Sequence, residues 1–298
     1  MANTAMINLS VENCQECPFV RYQKEHASYF CTRELAPMGF NIGDGEGVPD
    51  FCPFVLQRLQ GVLDVLDETT SGAIPKKYLT QIERKQRDDP DPKFGADHSF
   101  HHAQRVYEYG EKFLMDLIDF QLNSPDFIQK QKLMLKIAAN LHDIGLADSA
   151  RNHAVHSAEL AKKYFSSGKV DIDLQDANEI VHAICNHSDG NETRNLLDAA
   201  LALGDKLDVS KERIVRVTSP ITAELIKVDS VEYRIVGSNR EAKRAELRYV
   251  TSGGFNVQSL SEWPKSVLIP KMIAEKMLGL SFRFFVDEAE IDFKAILK

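Results

Sequence analysis

The chain has 298 residues, of which 43% are hydrophobic and 27% charged, and its formal net charge is −8. This length allows a substantial core and more than one domain, while the acidic balance argues against broad binding to nucleic-acid backbones or anionic membranes. Because no apolar run approaches the roughly 20 residues of a membrane span, and residues 1–7 lack the features of a signal peptide, we expect a cytoplasmic protein with no membrane partner.

The first 55 residues are predicted to be irregular and to form a metal-binding segment. They contain four cysteines with the spacing CxxC-x13-C-x20-C, namely Cys14, Cys17, Cys31 and Cys52. In a cytoplasmic protein such a set is more typical of metal binding than of disulfides. Four thiolates suit a structural zinc ion, which we favour, and equally an iron–sulfur cluster, which is the alternative.

Residues 56–94 are predicted to be a helical linker. An amphipathic stretch covers residues 55–80, and a charged link with two prolines follows at residues 83–92.

The middle of the chain, residues 95–219, is predicted to be an all-helical bundle. Apolar residues recur there at spacings of three and four, which is typical of helices packed on one face. The predicted helical segments are residues 99–120, 129–141, 157–165, 176–184 and 195–207.

The last part, residues 220–298, is predicted to be a small α+β domain. Residues 231–236 and 245–250 alternate polar with apolar side chains, as half-buried strands do. Residues 271–278 are predicted to be a helix, and residues 281–286 another strand. The predicted fold class is therefore mainly α, with a cysteine-rich segment before the bundle and a small α+β domain after it.

Histidines and carboxylates are concentrated in the predicted bundle. Eight of the nine histidines lie between His98 and His187, and the pair His142-Asp143 ends a helical stretch. A second acidic cluster, Leu203-Gly-Asp-Lys-Leu-Asp208, follows about sixty residues on. An isolated His-Asp pair is most often an exposed helix cap, but this collection of nitrogen and oxygen ligands suits a divalent transition metal.

Three of these motifs carry a resemblance to a known family. His102-Ala-Gln-Arg-Val106, then Leu141-His-Asp-Ile-Gly145, then Asp205 resemble the HD-domain metal-dependent phosphohydrolases in order, spacing and helical context. The resemblance covers roughly residues 95–215, and its motifs are specific as a set although weak singly. It implies that four residues ligate one metal ion, namely His102, His142, Asp143 and Asp205.

Three histidines compete for the first ligand position. The family pattern places the ligand four residues before a valine, which His102 and Val106 satisfy. His98, one turn earlier, is expected at most to line the pocket, and His101 to lie at the surface.

A second ion is implied by two further motifs. His153-Ala-Val-His-Ser-Ala158 and Ala183-Ile-Cys-Asn-His187 resemble segments of dinuclear family members, among them those that hydrolyse diadenosine tetraphosphate. By that resemblance His153 and His187 ligate the second ion. The alternatives are a surface residue at a helix start and a helix-end cap, respectively.

The branch within the family stays open. The Gly-Tyr-Pro signature of the cyclic-di-GMP phosphodiesterases is absent after His187, which disfavours that branch. The stretch Asp205-Lys-Leu-Asp208 also resembles mononuclear nucleoside-triphosphate pyrophosphohydrolases, so one ion or two is undecided. His156 and His182 match no motif as well, and ordinary surface or core roles are expected for both.

The predicted function is hydrolysis of a phosphoester or phosphoanhydride by metal-activated water, in a nucleotide or a similar small phosphorylated substrate. Asp143 is expected to orient or deprotonate the water. Arg105 and Lys206 are candidates for holding phosphate charge, with solvent contact or ion pairing as the alternative. The ion is expected to be Fe, Mn, Co, Ni, Zn or Mg. The alternative function is a nucleotide-binding regulatory or sensor protein, and either is compatible with a homo-oligomer.

Overall fold

A computed structural model describes the chain at residues 20–23, 28–31, 40–41, 53–68, 74–89, 92–119, 122–188, 193–237 and 243–292. The chain divides into two compact units, Met1–Leu59 and Gln60–Lys298. Among the helices in these ranges, none combines the length and apolarity needed to cross a lipid bilayer.

The first unit contains a small antiparallel sheet. Its strands are β1 (Val20–Gln23), β2 (Ser28–Cys31) and β3 (Phe40–Asn41), in that spatial order. The expectation of irregular structure is therefore wrong for these three segments. Cys31 ends β2, whereas Cys14, Cys17, Cys52 and the side chain of Cys31 lie outside the described residues. The zinc or iron–sulfur site predicted for the four cysteines stays a prediction.

Helices dominate the rest of the described chain. They are α1 (Pro53–Glu68), α2 (Ile74–Asp88), α3 (Phe100–Asp119), α4 (Pro125–Leu141), α5 (His153–Phe165), α6 (Leu174–Asn186), α7 (Leu196–Leu207), α8 (Pro220–Leu225) and α9 (Lys265–Met272).

The predicted bundle is confirmed, since each of its five segments overlaps one of the helices α3 to α7. Within the stretch predicted as a helical linker, α2 continues through the charged sequence to Asp88. There Ile82 is fully buried and packs with Phe94 and Leu146, so one apolar face maintains the helix through a charged sequence.

Helix α7 lies at the centre of the bundle. It packs against α3, α4 and α6, and nearly all of its residues are buried. Its approach to α3 is very close at Gly204, where an added Cβ would lie 2.2 Å from the carbonyl oxygen of Val106. This glycine therefore lets α7 bring Asp205, the next residue, close to the helix that carries His102.

Gly204→Ala is expected to lower the free energy of unfolding by about 1–3 kcal/mol, because the new methyl group meets backbone that cannot rotate away. Gly61→Ala in α1 is the matched control, since an added Cβ at Gly61 has no atom within 4 Å. That substitution should leave stability unchanged or raise it by about 0.5–1 kcal/mol. Urea unfolding measures both, and equal stabilities for the two variants would contradict the close approach.

The C-terminal part forms a four-stranded sheet in the same compact unit as the bundle. Its strands in spatial order are β4 (Val228–Val236), β5 (Arg244–Thr251), β6 (Ser281–Val286) and β7 (Ala289–Glu290). The pair β5–β6 is parallel and the other two pairs are antiparallel.

The crossover between β5 and β6 contains α9, which packs against α7. A helix was predicted at residues 271–278, but α9 begins earlier, at Lys265, and continues as a π-helical turn at Ile273–Met277. The predicted strands are confirmed. Because α9 rests on α7, this region reaches the end of the bundle that carries Asp205.

Candidate metal centre

The His-Asp pair lies where α4 turns towards α5. His142 is the C-terminal cap of α4, and a short 3₁₀ turn, Ile144–Ala147, follows Asp143. The amide of Gly145 donates to Ser157 Oγ at 2.8 Å, and an added Cβ there would lie 2.4 Å from the carbonyl oxygen of His153. Gly145 thus permits the close packing that brings the start of α5, with His153, towards Asp143.

One oxygen of Asp143 faces a first group of ligand atoms. Its Oδ2 lies 3.4 Å from Nε2 of His102 and 3.4 Å from Nε2 of His142, and these two nitrogens are 3.0 Å apart. Oδ1 of Asp205 lies 3.5 Å from the same nitrogen of His102. The four residues implied by the family resemblance are therefore brought together, and all are buried.

The other oxygen of Asp143 faces a second group. Its Oδ1 lies 3.2 Å from Nε2 of His153 and 3.7 Å from Nε2 of His187, and these two nitrogens are 3.2 Å apart. Both histidines are buried, so the surface position considered for His153 is not what the structure shows. The carboxylate of Asp143 lies between two histidine pairs.

Hydrogen bonds at the far side of the ring orient two of these histidines. Nδ1 of His142 donates to the carbonyl oxygen of Ala139 at 2.8 Å, and Nδ1 of His187 donates to that of Ile184 at 2.6 Å. Since a carbonyl oxygen can only accept, the proton of each neutral ring is on Nδ1 and the lone pair of Nε2 points into the cluster.

This donor set fits divalent metal ions. The two Nε2 atoms of each histidine pair lie 3.0–3.2 Å apart, which is close enough for both to ligate one cation. Ligand atoms about 2.1 Å from one ion lie about 3.0–3.4 Å apart at octahedral or tetrahedral angles, and most of the observed distances fall in or just outside that range. Within the described residues, three triads drawn from the cluster have ligand atoms within 4.8 Å of one another.

The two carboxylates of the cluster are held in the charged form. Burial raises the pKa of Asp143, but nearby His142 and His98 outweigh it and hold that pKa well below the usual value. Burial likewise opposes ionisation of Asp205, and Lys206 beside it is the foremost group that lowers its pKa. Both carboxylates can therefore ligate a cation at neutral pH.

One histidine in each group has a shifted pKa, and the two shifts have opposite directions. Burial lowers the pKa of His102, but hydrogen bonds with Asp143, Asp205 and Asp208 raise it well above the usual value in the absence of a metal. Burial lowers the pKa of His187 to about 4, so this ring is neutral at neutral pH. A cation near His102 would displace the proton that the three carboxylates favour.

Asp208, the last residue of the acidic cluster at residues 203–208, lies directly behind His102, a position that was not predicted. Its side chain is fully buried, and it accepts hydrogen bonds from His102 Nδ1 at 2.7 Å, Arg105 Nε at 2.8 Å and Arg213 Nη1 at 3.2 Å. A carboxylate behind a ligating histidine fixes the ring and raises its basicity. The position of Asp208 three residues after Asp205 was the sequence feature that could have indicated a place near the site.

Arg213 also lies at the site, although it was not among the residues predicted from the sequence. It is buried, and its Nη2 lies 3.8 Å from Asp205 Oδ1 and 3.5 Å from His98 Nδ1. No local motif marks this arginine, because it reaches the site through the chain that follows α7.

His98 was expected at most to line the pocket, but in the structure it also contacts a proposed metal ligand. It lines the cleft, as predicted, but its Nδ1 also lies 2.5 Å from Asp143 Oδ2, and its side chain is buried. Its position one helical turn before His102 was the signal. His101, by contrast, is exposed, as expected.

Two cations were proposed for phosphate binding, and they have different surroundings. Arg105 donates to Asp208 and, at 3.0 Å, to Asp97 Oδ2, which places it behind His102. Lys206 contacts Asp205 and lines a cleft of about 430 Å³. The catalytic assignment of both residues stays a prediction, and the geometry favours Lys206 for direct contact with a substrate.

The two remaining histidines of the bundle lie apart from the cluster. Nδ1 of His182 bonds Asp198 at 3.0 Å, and His156 is half-buried on α5. Both positions agree with the ordinary roles expected for them.

Comparison with known families agrees with this geometry. Residues 96–228, a little under half of the chain, match the family described as HD domain. No curated protein matches the chain. The chain thus carries an HD domain with a buried cluster of histidines and aspartates suited to a divalent metal. The branches named from the motifs stay predictions.

Proposed function

We propose that this protein is a metal-dependent phosphohydrolase whose centre holds two divalent ions that share Asp143. One observation carries the proposal: the two oxygens of Asp143 face two separate histidine pairs, each with nitrogens 3.0–3.2 Å apart. The HD-domain match over residues 96–228 supports the assignment as a metal-dependent phosphohydrolase. The proposed substrate is a nucleotide or a similar small molecule with a phosphoester or phosphoanhydride bond.

The proposed ligands divide between the two ions. His102, His142 and Asp205 hold the first, His153 and His187 hold the second, and Asp143 contributes one oxygen to each. Divalent ions in such sites lower the pKa of a water molecule towards neutrality and polarise phosphoryl oxygens.

The remaining charged groups of the cleft act on the phosphate and on protons. Lys206 and Arg213 line the cleft beside Asp205, where they can counter the negative charge of a phosphoryl group. His98 lines the same cleft and contacts Asp143, so it can accept or donate a proton beside the reacting group.

The alternative function is a nucleotide-binding sensor that retains the metal site. The cleft favours it in one respect, because residues outside the matched family region, among them Trp263 and Lys265, also line it. A bound ligand would therefore touch both the HD domain and the C-terminal region. Tight nucleotide binding with no turnover under any metal would favour this alternative.

His153→Ala tests the two-ion centre. We expect the variant to bind one ion fewer per chain than the unsubstituted protein, because the second group loses one of its two histidines. Elemental analysis after loading with Mn, Fe, Co, Ni, Zn or Mg gives the metal content per chain of both proteins. Metal bound elsewhere in the chain contributes equally to both values, so their difference reports on the second ion. Hydrolysis of a panel of nucleotides, dinucleoside polyphosphates and cyclic nucleotides should fall by about 100-fold or more, since one ion contributes several kcal/mol to the transition state.

His101→Ala is the matched control, because His101 is exposed on the same helix as His102. It should keep both the metal content and the activity. Equal metal content in the His153→Ala variant and the unsubstituted protein would contradict the second ion, and failure of every substrate with every metal would contradict the hydrolase.

A further inference from the structure

The cleft beside the metal cluster has two chemically different sets of lining residues. One set is ionic and includes Asp143, Asp205 and Lys206. The other includes the aromatic residue Trp263 and the apolar residue Ile221. Phosphate chemistry accounts for the first set only, so the second set is available for the organic part of a substrate.

Trp263 is held in place by its backbone. Its amide donates to the carbonyl oxygen of Leu260 at 3.0 Å, and its own carbonyl oxygen accepts from the amide and the hydroxyl of Ser266 at 3.3 and 2.9 Å. Leu260 and Ser266 are both buried. The tryptophan therefore projects from a fixed point between the Val257–Glu262 turn and α9.

Trp263 is half-buried, and its ring stacks on no other ring in the part of the chain that the structure describes. A tryptophan that only filled the core would be covered by neighbouring side chains. This one combines a fixed backbone with an accessible surface in the cleft, which is the arrangement of a stacking platform for planar groups.

We propose that Trp263 is a specificity-determining residue, which stacks on the base of a nucleotide whose phosphate lies at the histidine–aspartate cluster. This inference rests on the proposed phosphohydrolase function and names the substrate class more closely. The volume of about 430 Å³ lies in the lower part of the roughly 300–1,000 Å³ range of small-molecule sites, so it suits one nucleoside unit better than two. The substrate is then a mononucleotide.

Tryptophan fluorescence tests the stacking directly. The chain contains one tryptophan, so emission excited beyond the absorption of adenine reports on Trp263 alone. We expect AMP to quench this emission in the metal-loaded protein, and ribose 5-phosphate, which lacks the base, to leave it unchanged. Quenching by both compounds alike, or by neither, would overturn the proposal.

Kinetics with substituted protein supply a second test. Trp263→Leu should raise KM for AMP by about tenfold or more, the factor that corresponds to the loss of one base–aromatic stack. It should change kcat little and leave the parameters for ribose 5-phosphate unaltered. Trp263→Phe, which keeps an aromatic ring, should recover most of the affinity. Equal effects on both substrates, or none on either, would contradict a role in reading the base.

Phe255→Leu is the matched control, since Phe255 is a half-buried aromatic residue nearby that contacts Tyr249 and does not line the cleft. It should leave both KM values unchanged. The two proposals can fail separately. If the protein hydrolyses AMP but Trp263→Leu leaves KM unchanged and AMP does not quench the emission, the phosphohydrolase proposal holds and the stacking site is contradicted. Quenching by AMP alone, without turnover under any metal, supports the stacking site and overturns the hydrolase.

Discussion

Asp143→Asn is expected to remove both ions from the centre and to lower kcat/KM by about 1,000-fold or more, several kcal/mol of transition-state stabilisation. The substitution preserves the shape of the side chain but removes its negative charge. Because Oδ2 faces His102 and His142 while Oδ1 faces His153 and His187, both groups of ligands lose the shared negative charge. One group also loses its oxygen donor, since an amide retains a single oxygen atom.

Elemental analysis should therefore show a loss of two ions per chain relative to the unsubstituted protein. His153→Ala, in contrast, should lose one. Asp119→Asn is the control for the loss of one negative charge, since Asp119 is exposed at the end of α3. A protein that keeps its metal and its activity without the Asp143 carboxylate would refute the shared ligand, provided that urea unfolding shows a folded variant.

Asp208→Asn is expected to lower the free energy of unfolding by about 3–5 kcal/mol, because the loss of one partner leaves buried charges uncompensated. Asp208 is fully buried and accepts hydrogen bonds from Arg105, Arg213 and His102. Its loss should also weaken metal binding by about 10- to 100-fold, the usual cost of removing the partner behind a ligating histidine.

Two measurements separate these effects. Urea unfolding of the metal-free protein gives the stability change, and metal titration at low denaturant concentration gives the affinity change. Asp97→Asn is the graded control, because Asp97 bonds Arg105 while Arg105 keeps its contact with Asp208. It should cost less stability and leave metal affinity nearly unchanged. An unaltered metal affinity in the Asp208→Asn variant would mean that Asp208 only stabilises the fold and does not orient His102.

Arg105 and Lys206 are both close in the sequence to a proposed metal ligand, but they lie on different sides of the site. Both were selected because each is close to a proposed ligand in the chain. In the structure Lys206 lines the cleft, whereas Arg105 lies between Asp97 and Asp208 behind the ring of His102. Sequence proximity predicted that both would be near the site, but the side on which each cation lies depended on how α3 meets α7.

Much of the helical bundle could be predicted because its signal is local. Apolar residues at spacings of three and four mark α3 to α7, and polar–apolar alternation marks β4 and β5. Tertiary contacts decided how far a helix extends where the local composition was mainly charged. The charged end of α2 is helical because Ile82 packs with Phe94 and Leu146, which are distant in the sequence.

The kinds of ligand atom and their distribution over the helices could be predicted without the structure, since histidines and aspartates are visible as residues and helical spacing is local. Three relations depended on tertiary packing. Asp143 faces two histidine pairs, Asp208 lies behind His102 of the first pair, and Arg213 and Trp263 reach the same cleft. These relations join residues far apart in the chain. They depend on close helix packing at Gly204 and Gly145 and on the docking of α9 against α7, and such distances are set by the packing of the whole unit and not by any local pattern.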